Sequence, residues 1–74
     1  MKRMEVREQL IANIRAIIQE NGMKQKAIAK KSGFREQDFS NMMNGRKEIK
    51  AEYIPAIAEA LGVTPNEIYG SKSA

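Results

Sequence analysis

The chain has 74 residues, with 13 Lys/Arg against 9 Asp/Glu for a net charge of +4, and it contains neither Cys nor His. That length supports one small core, burying roughly 60% of the surface the unfolded chain exposes, so almost every apolar residue is needed for folding. Without Cys or His there can be no disulfide framework or thiolate metal site, and the commonest metal ligand and general base is missing, so stability must come from packing.

Leu10, Ile11, Ile14, Ile17 and Ile18 recur at helical spacing. This predicts a first amphipathic helix from about Glu5 to Asn21, stopped by Asn21-Gly22. A second helix is expected from about Gln25 to Ser32. A third, from about Glu36 to Met43, ends at Asn44-Gly45, which can supply a left-handed cap. Arg46 to Lys50 reads as a basic loop. Ile54, Ile57, Ala58 and Leu61 share one face of a fourth helix over Glu52 to Leu61, closed by Gly62; Pro55 fits only if it lies in the first turn. Val63 to Ile68 is a helix start signal, with Thr64 as N-cap, Pro65 at the first helical position, Glu67 completing a capping box, and Val63 with Ile68 as a hydrophobic staple. The fifth helix runs to about Tyr69, and the small, polar Gly70 to Ala74 is expected to fray. No linker, repeat or low-complexity segment interrupts the chain, which reads as one all-α domain over residues 1–74 with an ordered core at about 5–69. No apolar run approaches a membrane span, and Met1 to Met4 lack the apolar stretch of a secretion signal. A soluble, cytoplasmic protein with no membrane partner is the expectation.

The stretch from Met23 to Gly45 reads as two short helices bent about a glycine. Helices that cross closely need a small side chain at the crossing and a residue tolerant of positive φ in the turn, which Ala29 and Gly33 supply. Charge is concentrated here too: residues 22–50 hold eight Lys/Arg against three Asp/Glu, whereas residues 51–74 hold one against three. Such a surplus favours a polyanionic partner, although a solvated Lys-rich face has the same composition.

In residues and register, the chain resembles the lambda-repressor/Cro-type (Xre-like) helix-turn-helix family from about Ile11 to Tyr69. The matching residues are Gln25, Ala27-Ile28-Ala29, Gly33, Phe34, Phe39, Ser40, Asn44-Gly45 and Ala58-Glu59-Ala60-Leu61-Gly62-Val63. The resemblance implies a compact five-helix domain with the helix-turn-helix at helices two and three. The third helix would lie in the major groove of double-stranded DNA, while nearby amides and basic side chains hold phosphates. Helical period turns Phe39 and Met42 to the core and leaves Arg35, Glu36, Gln37, Ser40, Asn41 and Asn44 outside. By resemblance, the base-reading positions fall on Arg35, Glu36, Gln37 and Asn41. The amides of Gln37 and Asn41 can pair with adenine, and Arg35 with guanine. Glu36 can accept from cytosine N4; alternatively, Glu36 and Asp38 serve only to stabilise the positive end of the third helix. Gln25 resembles the family's phosphate-binding glutamine, whose amide and backbone N–H grip one phosphate. Lys24, Ser40, Asn44, Arg46, Lys47 and Lys50 complete the expected phosphate contacts.

Some positions depart from the family pattern. Lys24 and Arg35 stand where Ser or Thr usually caps helices two and three, a loss of about 1 kcal/mol at a typical cap. Ser32 replaces a larger apolar residue, suggesting a looser contact beneath the turn. Ile18 and Met43 occupy positions where relatives often carry an Arg–Glu pair, which suggests that packing replaces an ion pair and that the two side chains touch.

The function implied is a sequence-specific DNA-binding transcriptional regulator. It would act as a repressor on a pseudo-palindromic operator, bound as a homodimer with half-sites roughly 34 Å apart. Activation by touching polymerase is compatible with the same residues. The family often pairs through its C-terminal segment, but Val63 and Ile68 there are expected rather to close the core; Tyr69 and the loop before Tyr53 are then the dimer candidates. The alternative is an antitoxin-like or adaptor module that holds a protein partner, favoured by Glu36 and Asp38. An enzyme is not expected: there is no Gly-rich phosphate loop, and Glu36 and Asp38, two apart on a helix, point in different directions. No pattern for a cofactor, metal or small-molecule ligand is evident.

Overall fold

Spacing of Leu10, Ile14 and Ile17 winds Val6–Glu20 into α1, followed by α2 (Gln25–Lys31) and α3 (Glu36–Met43). A 3-10 turn (Ala51–Tyr53) leads into α4 (Ile54–Leu61), and α5 (Pro65–Tyr69) closes the all-helical order. The computed structural model describes residues 6–70. Glu5 and the expected fraying beyond Gly70 lie outside them.

Every helix contributes to one core. Ile14 of α1, Ile28 of α2, Phe39 and Met42 of α3, Ile57 of α4 and Ile68 of α5 are all fully buried and belong to one cluster. Removing a side chain of this size from water stabilises the fold by about 1.5–3 kcal/mol. Among the described residues no polar or charged side chain is buried, so none of that gain is offset by desolvated charge. α2 packs against α3 and α4, and α1 against α5. One long-range polar bond ties the last pair: Asn13 Nδ2 donates to the Ile68 carbonyl at 2.8 Å.

The turn between α2 and α3 follows from its glycine. Gly33 adopts φ +85°, and its N–H donates to the Lys30 carbonyl while the Phe34 N–H reaches back to the Ala29 carbonyl at 2.9 Å. This paired closure satisfies two carbonyls left over at the helix end and needs a left-handed residue between them. Ala29, 1% exposed, lies beneath the turn. At Ser32 the hydroxyl donates to the Ile28 and Ala29 carbonyls, at 2.6 and 3.1 Å, binding the helix end to itself where an apolar side chain would have packed. Phe34 fills the space beside it, 6.4 Å from the Phe39 ring and in edge contact with Tyr53 at 4.9 Å.

Three expectations need correction. α1 and α2 each stop one residue before the anticipated end, because Asn21 and Ser32 already lie in the closing turns. The fourth helix is split: Pro55 has no N–H and its ring crowds the carbonyl four residues back, so Ala51–Tyr53 tightens into a 3-10 turn before α4 starts. Arg46 to Lys50 forms a loop as expected, and the buried Ile49 anchors it to the core. The capping box forms as expected: Thr64 Oγ1 accepts from the Glu67 N–H, and the Thr64 N–H donates to Glu67 Oε2 at 2.7 Å. Met43 is buried and Ile18 packs, half-buried, against the same cluster.

Candidate nucleic-acid interface

α3 has two opposed faces. Phe39 and Met42 are fully buried, and one turn per 3.6 residues places Gln37, Asn41 and Asn44 together in a row on the other side. Gln37 and Asn44 are exposed and Asn41 is half-buried. Two of the three are linked: Gln37 Nε2 donates to Asn41 Oδ1 at 3.2 Å. The Gln37 carbonyl oxygen, its second N–H and both N–H groups of Asn41 stay free. A planar amide with one donor held in place meets a base edge at a smaller entropic cost than a free one.

Between the N-terminal ends of α2 and α3 lies a shallow open pocket lined by Gln25, Lys26, Glu36, Gln37 and Ser40. It brings together two expected phosphate ligands, Gln25 and Ser40, with two expected base-reading positions, Glu36 and Gln37. Lys26, which was not among the expected contacts, also lines this pocket; its place directly after Gln25 in a basic stretch was the available signal. Neither Lys24 nor Arg35 makes a side-chain cap, as their side chains require, so the first N–H groups of both helices lack a side-chain acceptor. Glu36 and Asp38 stand in the first turn of α3, where negative charge offsets the helix dipole.

The remaining cations lie past the other end of α3. Arg46 is exposed and Lys47 half-buried. The first backbone amides here are already used: Gly45 N–H bonds to the Met42 carbonyl, and both Arg46 and Lys47 N–H to that of Asn41, at 2.8 and 3.2 Å. At Arg46 and Lys47, contacts to an anion must therefore come from the side chains. Lys50 is set apart from the group, its Nζ 5.9 Å from the centroid of the Tyr53 ring. Asn44 faces a different hollow, shared with α1. Among the described residues no cluster of acidic side chains could hold a metal, and no helix is long and apolar enough to cross a membrane.

The fold is shared with solved structures. The clp gene regulator ClgR from Corynebacterium glutamicum superposes with a TM-score of 0.80 at 27% identity, covering 96% of this chain and 97% of that one. The hypothetical transcription factor NHTF from Neisseria has a TM-score of 0.80 at 26% identity, covering 88% of this chain and 75% of that one. No curated protein matches the chain. The profile of the Cro/C1-type HTH DNA-binding domain matches residues 13–72. With the helix-turn-helix of α2 and α3 and the exposed amide row of α3 in place, the chain belongs to the Cro/C1-type helix-turn-helix DNA-binding family.

Proposed function

We propose that the protein is a sequence-specific transcriptional regulator that binds a pseudo-palindromic operator as a homodimer and represses by occupying it. The observation that carries this reading is the linked pair Gln37 and Asn41 on the exposed face of α3 in a Cro/C1-type domain. The likeness to a gene regulator and to a hypothetical transcription factor supports it. Arg35, Glu36, Gln37 and Asn41 are the proposed base-contacting residues. Lys24, Gln25, Ser40, Asn44, Arg46, Lys47 and Lys50 are the proposed phosphate contacts, joined by Lys26, which lines the same pocket as Gln25.

A homodimer is supported by Tyr69, 42% exposed and the sole exposed large hydrophobic among the described residues. Val63 and Ile68 are taken up by the core cluster, which leaves Tyr69 and the loop before Tyr53 as the surfaces to pair with a second copy across a two-fold axis. Binding by two copies supplies the half-site spacing that one α3 alone cannot read.

The experiment is a titration of Gln37→Ala, Asn41→Ala and Lys47→Ala against operator and mismatched duplexes. The first two changes should relax preference at a base pair by about 1–3 kcal/mol, and the third should weaken all sequences alike. Equal losses on every duplex from all three would refute base readout. Capture of a protein partner without sequence-dependent DNA binding would support the antitoxin-like or adaptor reading, which Glu36 and Asp38 favour.

A further inference from the structure

We propose that α1 provides a second phosphate-binding surface, in which Arg7 and Arg15 hold the DNA backbone beside the C-terminal end of α3. The proposal rests on the DNA-binding reading above and adds a site that the helix-turn-helix pattern does not contain. Arg7, Ile11 and Arg15 follow one another at i, i+4 and i+8 on α1 and form one wall of an open groove; Met43, Asn44 and Gly45 form the other.

Three observations make a phosphodiester backbone the occupant. First, the groove continues the proposed interface, because Asn44 stands in the same row of α3 as Gln37 and Asn41 and is also part of the groove wall. A duplex seated on that row runs past the mouth of the groove. Second, both arginines are exposed, and among the described residues neither is held in an ion pair. Glu8 also lines the groove and already has an interaction of its own. Third, the amides of Gly45, Arg46 and Lys47, next to the groove wall, are spent closing α3, so these three residues cannot cradle a phosphate with their backbone. Cationic side chains across the groove supply the donors that they lack, and a guanidinium grips two phosphate oxygens at once. Eight residues of helix separate Arg7 from Arg15 by about 12 Å, so the two neutralise different phosphates.

The test measures the salt dependence of binding by fluorescence anisotropy on a short mixed-sequence duplex, for which no operator need be known. Arg7→Ala and Arg15→Ala should each lower the slope of log K against log salt by about 0.9, the increment for one phosphate contact. Affinity should fall by the same factor on every sequence, and Arg15→Lys should keep most of the slope. Lys31→Ala removes the same charge from the exposed end of α2, outside the groove, and should leave the slope unchanged. Thermal unfolding of each variant checks the fold, which these exposed side chains do not support.

A wild-type slope in the double variant R7A/R15A, with a lowered slope in Lys47→Ala, would overturn the α1 site and leave the DNA reading standing. An equal drop in Lys31→Ala would also overturn it, since net charge alone would then be responsible. Absence of salt-dependent binding in the wild-type protein would instead remove the DNA-binding reading itself.

Discussion

Replacing Gly33 by Ala isolates the backbone cost of the helix-turn-helix bend. The residue sits at φ +85°, and a Cβ built there meets nothing within 4 Å, so no steric clash enters the result. A non-glycine residue in the left-handed region costs about 1–2 kcal/mol. Against this, the alanine removes freedom from the unfolded chain, an effect of about 0.4–1 kcal/mol in the stabilising direction. The net expectation is a loss of about 1 kcal/mol. In a domain of this size that lowers the unfolding midpoint by about 4–8 °C, with the denaturant m-value unchanged. Thermal and guanidinium unfolding measure both quantities. A loss beyond about 3 kcal/mol would mean that the turn carries a packing role its open surroundings do not show. No loss, or a gain, would mean that the Gly33 and Phe34 amides can close α2 without a left-handed residue, and the account of the turn would fail.

Thr64→Ala removes the acceptor of the capping box and should cost about 1 kcal/mol in unfolding free energy. Asn13→Ala breaks the bond to the Ile68 carbonyl. It should cost about 0.5–1.5 kcal/mol and speed amide exchange in α5 more than in α2 or α3, which can be followed by hydrogen exchange. Phe39→Ala empties the centre of the core, where the side chain is fully buried. Its cost of about 3–5 kcal/mol should leave a domain of this length largely unfolded at moderate temperature by circular dichroism. Binding lost in that variant would therefore report on folding, unlike binding lost in Gln37→Ala.

What could be read in the sequence was local chemistry. The Thr64–Glu67 box, Gly33 in the turn and the inward pair Phe39 and Met42 all follow from residues within a few positions of one another, and they stand as expected. Ile49 was missed because a lone apolar residue between Glu48 and Lys50 has no periodic partner; its burial depends on where the loop returns over the core. The 3-10 turn before α4 was implicit in Pro55, whereas the contact of the Tyr53 ring with Phe34 joins distant segments and gave no local signal. Asn13 gave no signal, since its acceptor lies 55 residues away. In the candidate interface, period alone placed Gln37, Asn41 and Asn44 on one face. The groove that sets Arg7 and Arg15 beside Asn44 required α1 to cross the end of α3, a relation between distant segments that spacing does not encode.

The most direct test of the central claim is selection of bound sequences from a randomised duplex pool with the wild-type protein, followed by anisotropy titration of the enriched sites. Regulation through a dimeric operator predicts a two-fold symmetric site with half-sites roughly 34 Å apart and an affinity for it well above that for random duplex. Salt-sensitive binding with no enriched sequence would contradict that claim and reduce the face around Gln37 and Asn41 to a basic surface without readout.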